Sequence, residues 1–456
     1  MTTLAPARRS RAADAQTRAA VAHLARRAGF GLHADAVDEF AADGYEAAVD
    51  RVLDDLGRRD EAAEAVAPPA FDTAGYFAAR GGDATARQAA ADRARRERRE
   101  LVGWWLRRMV AADRPIREKL TFLWHDHFAT SLQKVKIAEL AHLQNRTLYD
   151  LGAGRFDALV DAVARDPAML IWLDGRESSG RAPNENFARE LFELFTLGLA
   201  GAVHHSAGTP AYTEDDVVEA ARALTGWRID PATYAAVLVP RRHDDGEKTV
   251  LGQTGRLGLG EVVAAATLHE ACAPHVVARL WSRMGRPAEP DDEVVRELAE
   301  PFARDLDVTA LLRRMFLHPE FLTPATRQAL VKTPVEWLVG IARTLRLPLG
   351  PRIAEVVAGL GQIPFFPPDV AGWPANEAWL STASALTRLR ASSTLTAQAD
   401  LTPITTVVAR DRPAAAARMV GVEGWGPTTA AALDEVSSDP RTLMILALVA
   451  PEHLLA

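Results

Sequence analysis

The chain has 456 residues, 48% hydrophobic and 25% charged, a formal charge of -7 and a single cysteine, Cys272. This length and composition suit a large folded core and exclude wholesale disorder, and the mild acidity excludes a general electrostatic footprint for nucleic acid or an anionic membrane. One cysteine excludes an intrachain disulfide framework, a Cys-based zinc site and a two-cysteine redox motif.

Residues 1–17 are rich in Ala, Arg and Thr without a hydrophobic period, which predicts a disordered tail. From Thr17 the pattern turns helical, with Val21, Leu24 and Ala28 in phase until Gly29 and Gly31 stop it. The run "RQAAADRARRERRELVGWWLRRMVAAD" reads as a long helix, charged early and apolar late; Glu97 and Glu100 among its arginines mark a solvated face. No apolar run of roughly 18 residues occurs, so no membrane span is expected; the basic start lacks a signal-like apolar stretch, which predicts a cytoplasmic protein.

"LTFLWHDHFATS", residues 120–131, sets two histidines around an aspartate in an apolar helical stretch. At about 100° per residue, Leu120, Leu123, Trp124, His127, Phe128 and Ser131 share one face, while His125 lies about 200° from His127, so the two rings cannot chelate one ion. Phe122 opposite Trp124 implies cover on both faces, which leaves Asp126 in need of a partner. The bland reading of His127 is a core histidine hydrogen-bonded to a carbonyl or carboxylate; the sharper one is a ligand.

Asp166 before Pro167 opens another helix. "NENFARELFELFTLG", residues 184–198, runs from Asn184 as N-cap to Gly198 as stop, with Phe187, Leu191, Leu194 and Leu197 on its apolar face and Glu190 among them. Glu185, Arg189 and Glu193 form an ion-pair ladder on the other flank. A carboxylate on an apolar stripe must be paired, coordinate a cation or become neutral. Glu190 therefore either pairs with an arginine such as Arg222 or converges with Asn186 and Glu193 on an ion or substrate. His204 and His205 form a loop pair, a weak metal signal.

Thr213 caps the helix of "YTEDDVVEAARALTGW", with Glu214, Asp215 and Asp216 in its first turn and Gly226 as its stop. Residues of about 233–252 read as one β-hairpin turning at Asp245 and Gly246, with His243, Asp244 and Lys248 around the turn. "GQIPFFPPDVAGWPANEAWL" predicts an ordered loop whose Trp373 and Trp379 pack on helices or line a ligand groove. The expected fold is mainly α: a large multi-helix array over 18–400 with one inserted hairpin and this Pro/Trp-rich loop, then a C-terminal helical extension over 401–456 packed on the body. Phosphate-loop, G-x-S-x-G, H-E-x-x-H and dinucleotide fingerprints are absent.

Eight ordered segments, "HLARRAGFG", "LTFLWHDHFATS", "DPAMLIWLDG", "NENFARELFELFTLG", "YTEDDVVEAARALTGW", "HDDGEKTVLG", "VKTPVEWLVG" and "GQIPFFPPDVAGWP", resemble a bacterial family catalogued as domain-of-unknown-function family 1800. The resemblance covers about residues 20 to 395, with a weaker echo in the last helix. It implies no reaction; it implies a partnered role near sulfatase-like or phosphatase-like proteins at the cell envelope. This chain departs from the pattern in lacking an export signal, in Phe195 where the family often has histidine, in "HEACAPH" where it usually has His-Pro, and in an insertion around His204.

Two functional readings stand beside each other. One is a hydrolase-like enzyme with an internal site drawn from His125, Asp126, His127, Asn186, Glu190, Glu193, His243 and Asp244, in which His127, Glu190 and Glu193 hold a divalent metal that activates water. The other is a non-catalytic scaffold or accessory protein in which these residues are buried structural pairs. Glycan binding through Trp373 and Trp379 is a third.

Overall fold

The computed structural model describes residues 15–199, 210–350 and 353–455. Most of the expected tail, and both His204 and His205, lie outside the described residues. The fold is mainly α, with two antiparallel two-stranded sheets inserted among the helices. No helix among the described residues is long and apolar enough to cross a membrane.

Two apolar cores organise the chain. The first gathers Val21 and Leu24 near the N-terminus, Phe156, Leu159 and Val163 in the middle, and the helices from Leu259 to Leu317. The second gathers Leu101 to Met109, Leu132 to Ala141, the Pro334–Thr344 helix and the C-terminal helices. The Pro115–His127 helix is the wall between them. Proline at its first position removes an amide that would lack a partner. It sends Ile116, Leu120, Leu123 and Trp124 into the first core and Phe122 into the second.

The long Ala84–Ala111 helix changes character along its length, exposed through its arginine-rich start and buried from Leu101 onward. It locks to the wall helix through a dry ion pair: Glu118 binds Arg108 and accepts from Trp105 Nε1 at 2.9 Å. Arg108 Nη1 also donates to the carbonyl of Ala63 at 3.2 Å, tying in a third segment.

The extended runs near residue 240 pair differently from the single hairpin expected. Trp227–Ile229 pairs with Ala236–Leu238, and Lys248–Val250 pairs with Gln253–Gly255. Asp244 explains the difference. Its carboxylate is taken by Arg222 Nε at 2.8 Å, and Lys248 Nζ binds the carbonyls of Asp244 and Gly246 at 2.6 and 2.9 Å, so the intended turn is an anchored loop.

Residues 401–455 complete the second core. Met419, Leu433, Leu443 and Leu448 are buried in it, and Trp337 Nε1 donates to the carbonyl of Leu448 at 3.1 Å. The last residues lie alongside the start of "VKTPVEWLVG": Val331 bridges Leu455, and the Lys332 amide donates to Leu454 at 2.8 Å.

Removing one partner of a buried ion pair strands the other charge. Glu118→Ala should lower the unfolding free energy by about 3–5 kcal/mol in urea titrations. A loss below about 1 kcal/mol would show that the Arg108 pair does not brace the two helices.

Candidate functional site

The wall helix ends in the His-Asp-His triplet, and each member faces a different partner. His125 Nε2 accepts the amide of Phe365 at 3.0 Å and lies among Trp105, Phe365 and Trp373. Burial depresses its pKa to about 3, so it is a neutral acceptor. Asp126 accepts the amide of Trp373 at 2.7 Å and pairs with Arg283 at 2.5 Å. Gly372, just before, has φ +90, and a Cβ there would collide with the Asp126 carbonyl. Two consecutive side chains of one helix thus fix the Pro/Trp loop at Phe365 and Trp373.

His127 faces the other core, its Nε2 lying 3.1 Å from the carbonyl of Phe195. His275 Nε2 stands 3.0 Å from the carbonyl of Leu194. A carbonyl only accepts, so each ring donates from Nε2. Burial holds the pKa of His127 well below the ordinary imidazole value, with the nearby charges of Arg279 and His275 adding to it; burial lowers that of His275 to about 4.

The Phe195 and Leu194 carbonyls are offered because the helix is irregular. Asn184 caps Glu185–Glu190, its side chain accepting from the Asn186 amide at 3.0 Å, but Leu191–Thr196 widens into a π-helix. The wider turn rotates everything after it. Phe187, Leu191, Phe192, Phe195 and Leu197 are buried, whereas Leu194 and Glu190, expected on the apolar stripe, are half-buried and Asn186 is exposed.

Partial burial, then Glu193 and Asp369, push the Glu190 pKa upward, while Arg189 opposes them. Arg189 meets Glu185 at 3.5 Å and Glu193 at 3.7 Å and also binds Glu214. Arg222, the arginine expected for Glu190, binds Asp244 and Glu219 instead. His243 Nδ1 lies 3.0 Å from the carbonyl of Thr225, and the Asp244 amide donates to Thr225 Oγ1 at 2.8 Å. Glu190 and Glu193 are therefore neighbours; His127 shares no hydrogen bond or ion pair with either. Among the described residues no three His, Cys, Asp or Glu side chains are grouped to hold a metal ion.

Four of the segments quoted above converge elsewhere, on a cavity beneath the Pro/Trp loop. Arg26, Arg27 and Phe30 come from the first, Phe122, Leu123 and Asp126 from the wall helix, Lys332, Thr333 and Glu336 from "VKTPVEWLVG", and Gln362 and Trp373 from the loop. Lys119 and Arg283 complete a cationic lining. Lys119 is neutralised by Glu336, and Arg283 by Asp126. The helix start at Thr333 is closed as well, because Glu336 takes the Thr333 amide at 2.8 Å and Gln362 takes that of Val335 at 2.9 Å.

Arg26 and Lys332 stand apart from these pairs. Arg26 Nη1 donates to the carbonyl of Gly421 at 2.6 Å and Lys332 Nζ to that of His453 at 2.7 Å, and neither forms an ion pair among the described residues. Burial lowers the Arg26 pKa to about 10, and burial followed by Arg26 drives that of Lys332 well below the usual ammonium value. Arg27, which donates to Thr326 at 2.8 Å, falls to about 9 by burial and then Arg26. Sequence reasoning passed over these cations. The rule applied to Glu190, a charge in an apolar stretch, would have found Arg27 beside Leu24 and Ala28, and Lys332 beside Val331.

A histidine that is neutral when folded opposes acid: its contribution is present above the unfolded pKa of about 6.5 and lost as pH falls toward the folded value. Between pH 6.5 and 5 the native protein should lose about 1.5 kcal/mol more stability than His125→Gln, which keeps an acceptor for Phe365, in paired urea titrations. Parallel pH profiles would refute a buried neutral His125.

A family model described as Protein of unknown function (DUF1800) matches residues 23–455. No curated protein and no solved structure matches the chain. The family match covers nearly the whole chain, from within the Ala15–Ala28 helix to the C-terminal helices, and the chain belongs to this family.

Proposed function

We propose that this protein binds an anionic ligand in the cavity at Arg26 and Lys332. One observation carries the reading: two basic side chains, Arg26 on the Ala15–Ala28 helix and Lys332 just before the Pro334–Thr344 helix, face one cavity with carbonyls, and no carboxylate, as their hydrogen-bond partners. Glu423 and Glu336 act on Arg26 and Lys332 without forming an ion pair with either, so an oxyanion between the two adds charge-assisted hydrogen bonds to a full negative charge that neither makes within the chain.

This reading sides with the non-catalytic accessory protein over the hydrolase. Water activation by a metal on His127, Glu190 and Glu193 draws no support from side chains that meet separate partners. A sulfatase-like or phosphatase-like partner remains what the family resemblance implies.

Inorganic phosphate, with sodium chloride at matched ionic strength as control, tests the reading on the full chain. At about ten times its Kd, phosphate should add about 1.4 kcal/mol of stability, seen as a raised melting temperature. Arg26→Met and Lys332→Met should lose that rise while keeping the native circular dichroism. A phosphate effect equal to that of chloride, or unchanged in both variants, would refute anion binding at this place.

The depressed ammonium of Lys332 gives a second check. An anion beside it favours the charged form, so binding takes up a proton and weakens as pH rises. Lys332→Arg, whose guanidinium stays charged, should bind with a flatter pH profile. Identical slopes would place Lys332 outside the binding event.

A further inference from the structure

Three cavities share Arg26 and Lys332 as a common wall. The one beneath Trp373 holds about 40 Å³, that toward the C-terminal segment about 440 Å³, and the third about 10 Å³. A water needs roughly 10–15 Å³ on this measure, so the first has room for about three water-sized spheres, the bulk of one oxyanion group, and the third for no more than one water. Only the largest can take the body of a ligand whose charge sits at the shared wall.

The lining of the large chamber says what that body is. Gln328, Arg327, Glu423 and Glu452 present polar groups to it, with Leu322 and Leu455 as apolar surface. Arg327 and Glu423 neutralise each other at 2.9 Å, and Glu452 accepts from the Gly426 amide at 2.8 Å and from Thr429 Oγ1 at 3.0 Å. An apolar body would strand these groups without water, and a second anionic group would face two carboxylates. Hydroxyl groups both donate and accept, so they satisfy the Gln328 amide and the free carboxylate lone pairs together. At the shared wall, the planar carboxylate suits one arginine fork, whereas the third oxygen of a tetrahedral group reaches a second basic group on another segment.

Resting on the anion-binding reading above, we infer that the ligand is a phosphate or sulfate ester of a polyhydroxylated molecule of sugar size, its ester oxygens at Arg26 and Lys332 and its hydroxyls in the chamber beside Gln328. Ester and inorganic anion share the same charged group, so the chamber supplies the difference between them.

Calorimetric titration of the full chain with inorganic phosphate, inorganic sulfate, glucose 6-phosphate, glucose 6-sulfate and glucose tests this. At least one ester should bind about tenfold tighter than its own inorganic anion, a difference of about 1.4 kcal/mol, and glucose alone should give no heat. The tighter ester identifies which oxyanion the site takes. Gln328→Leu, at an exposed position, should narrow the gap between ester and inorganic anion several-fold. Esters that bind no tighter than the inorganic anions, or an unchanged gap in Gln328→Leu, overturn the polyol inference and leave the anion site standing. Absence of binding by every anion overturns both.

Discussion

The Asp126 carboxylate holds together what the rest of the candidate site needs. It takes the Trp373 amide on one oxygen and Arg283 on the other, so a loop with little regular hydrogen bonding of its own is fixed to the rigid wall helix. His125, one residue earlier and about 100° around the helix, anchors the same loop at Phe365. Trp373 is thereby placed over Phe122, with ring centroids 6.1 Å apart, and Leu455 packs in the same small cluster with Val331, Trp373 and Trp379. The histidine and aspartate that look like chemistry in the sequence are the posts that carry the roof of the cavity.

Electrostatic balance around that cavity is uneven in an instructive way. Lys119, Arg283 and Arg327 each have a carboxylate, in Glu336, Asp126 and Glu423. Those pairs satisfy themselves and shape the walls. Arg26 and Lys332 lean on main-chain carbonyls of the C-terminal segments, at Gly421 and His453. The C-terminal helices thus shape the site as well as filling the second core.

Much of the fold was legible because helix signals are local. Thr213 accepts from the Asp216 amide as a capping residue should, Asp166 from that of Met169, and Asn184 from that of Asn186. The β segment was legible as extended chain but not in its pairing, since the attraction of Asp244 for Arg222, 22 residues earlier, overrides the turn preference of Asp245 and Gly246. Leu194 left the expected apolar stripe for a different reason: constant angular steps hold only in a regular helix, and Leu191–Thr196 is a π-helix. The cationic cavity depends on contacts between positions as far apart as Arg26 and Gly421, which no local period encodes.

The two-faced wall helix has a consequence for how the molecule comes apart. Chains of this length ordinarily divide into modules that melt one by one. Here Trp124 belongs to one core and Phe122 to the other on the same few turns, and Glu118 ties that helix to a neighbour in the second. Loosening either core strips apolar cover from a helix the other needs, so the unfolding of the two is thermodynamically coupled, and the cavity beneath the loop survives only while both are intact.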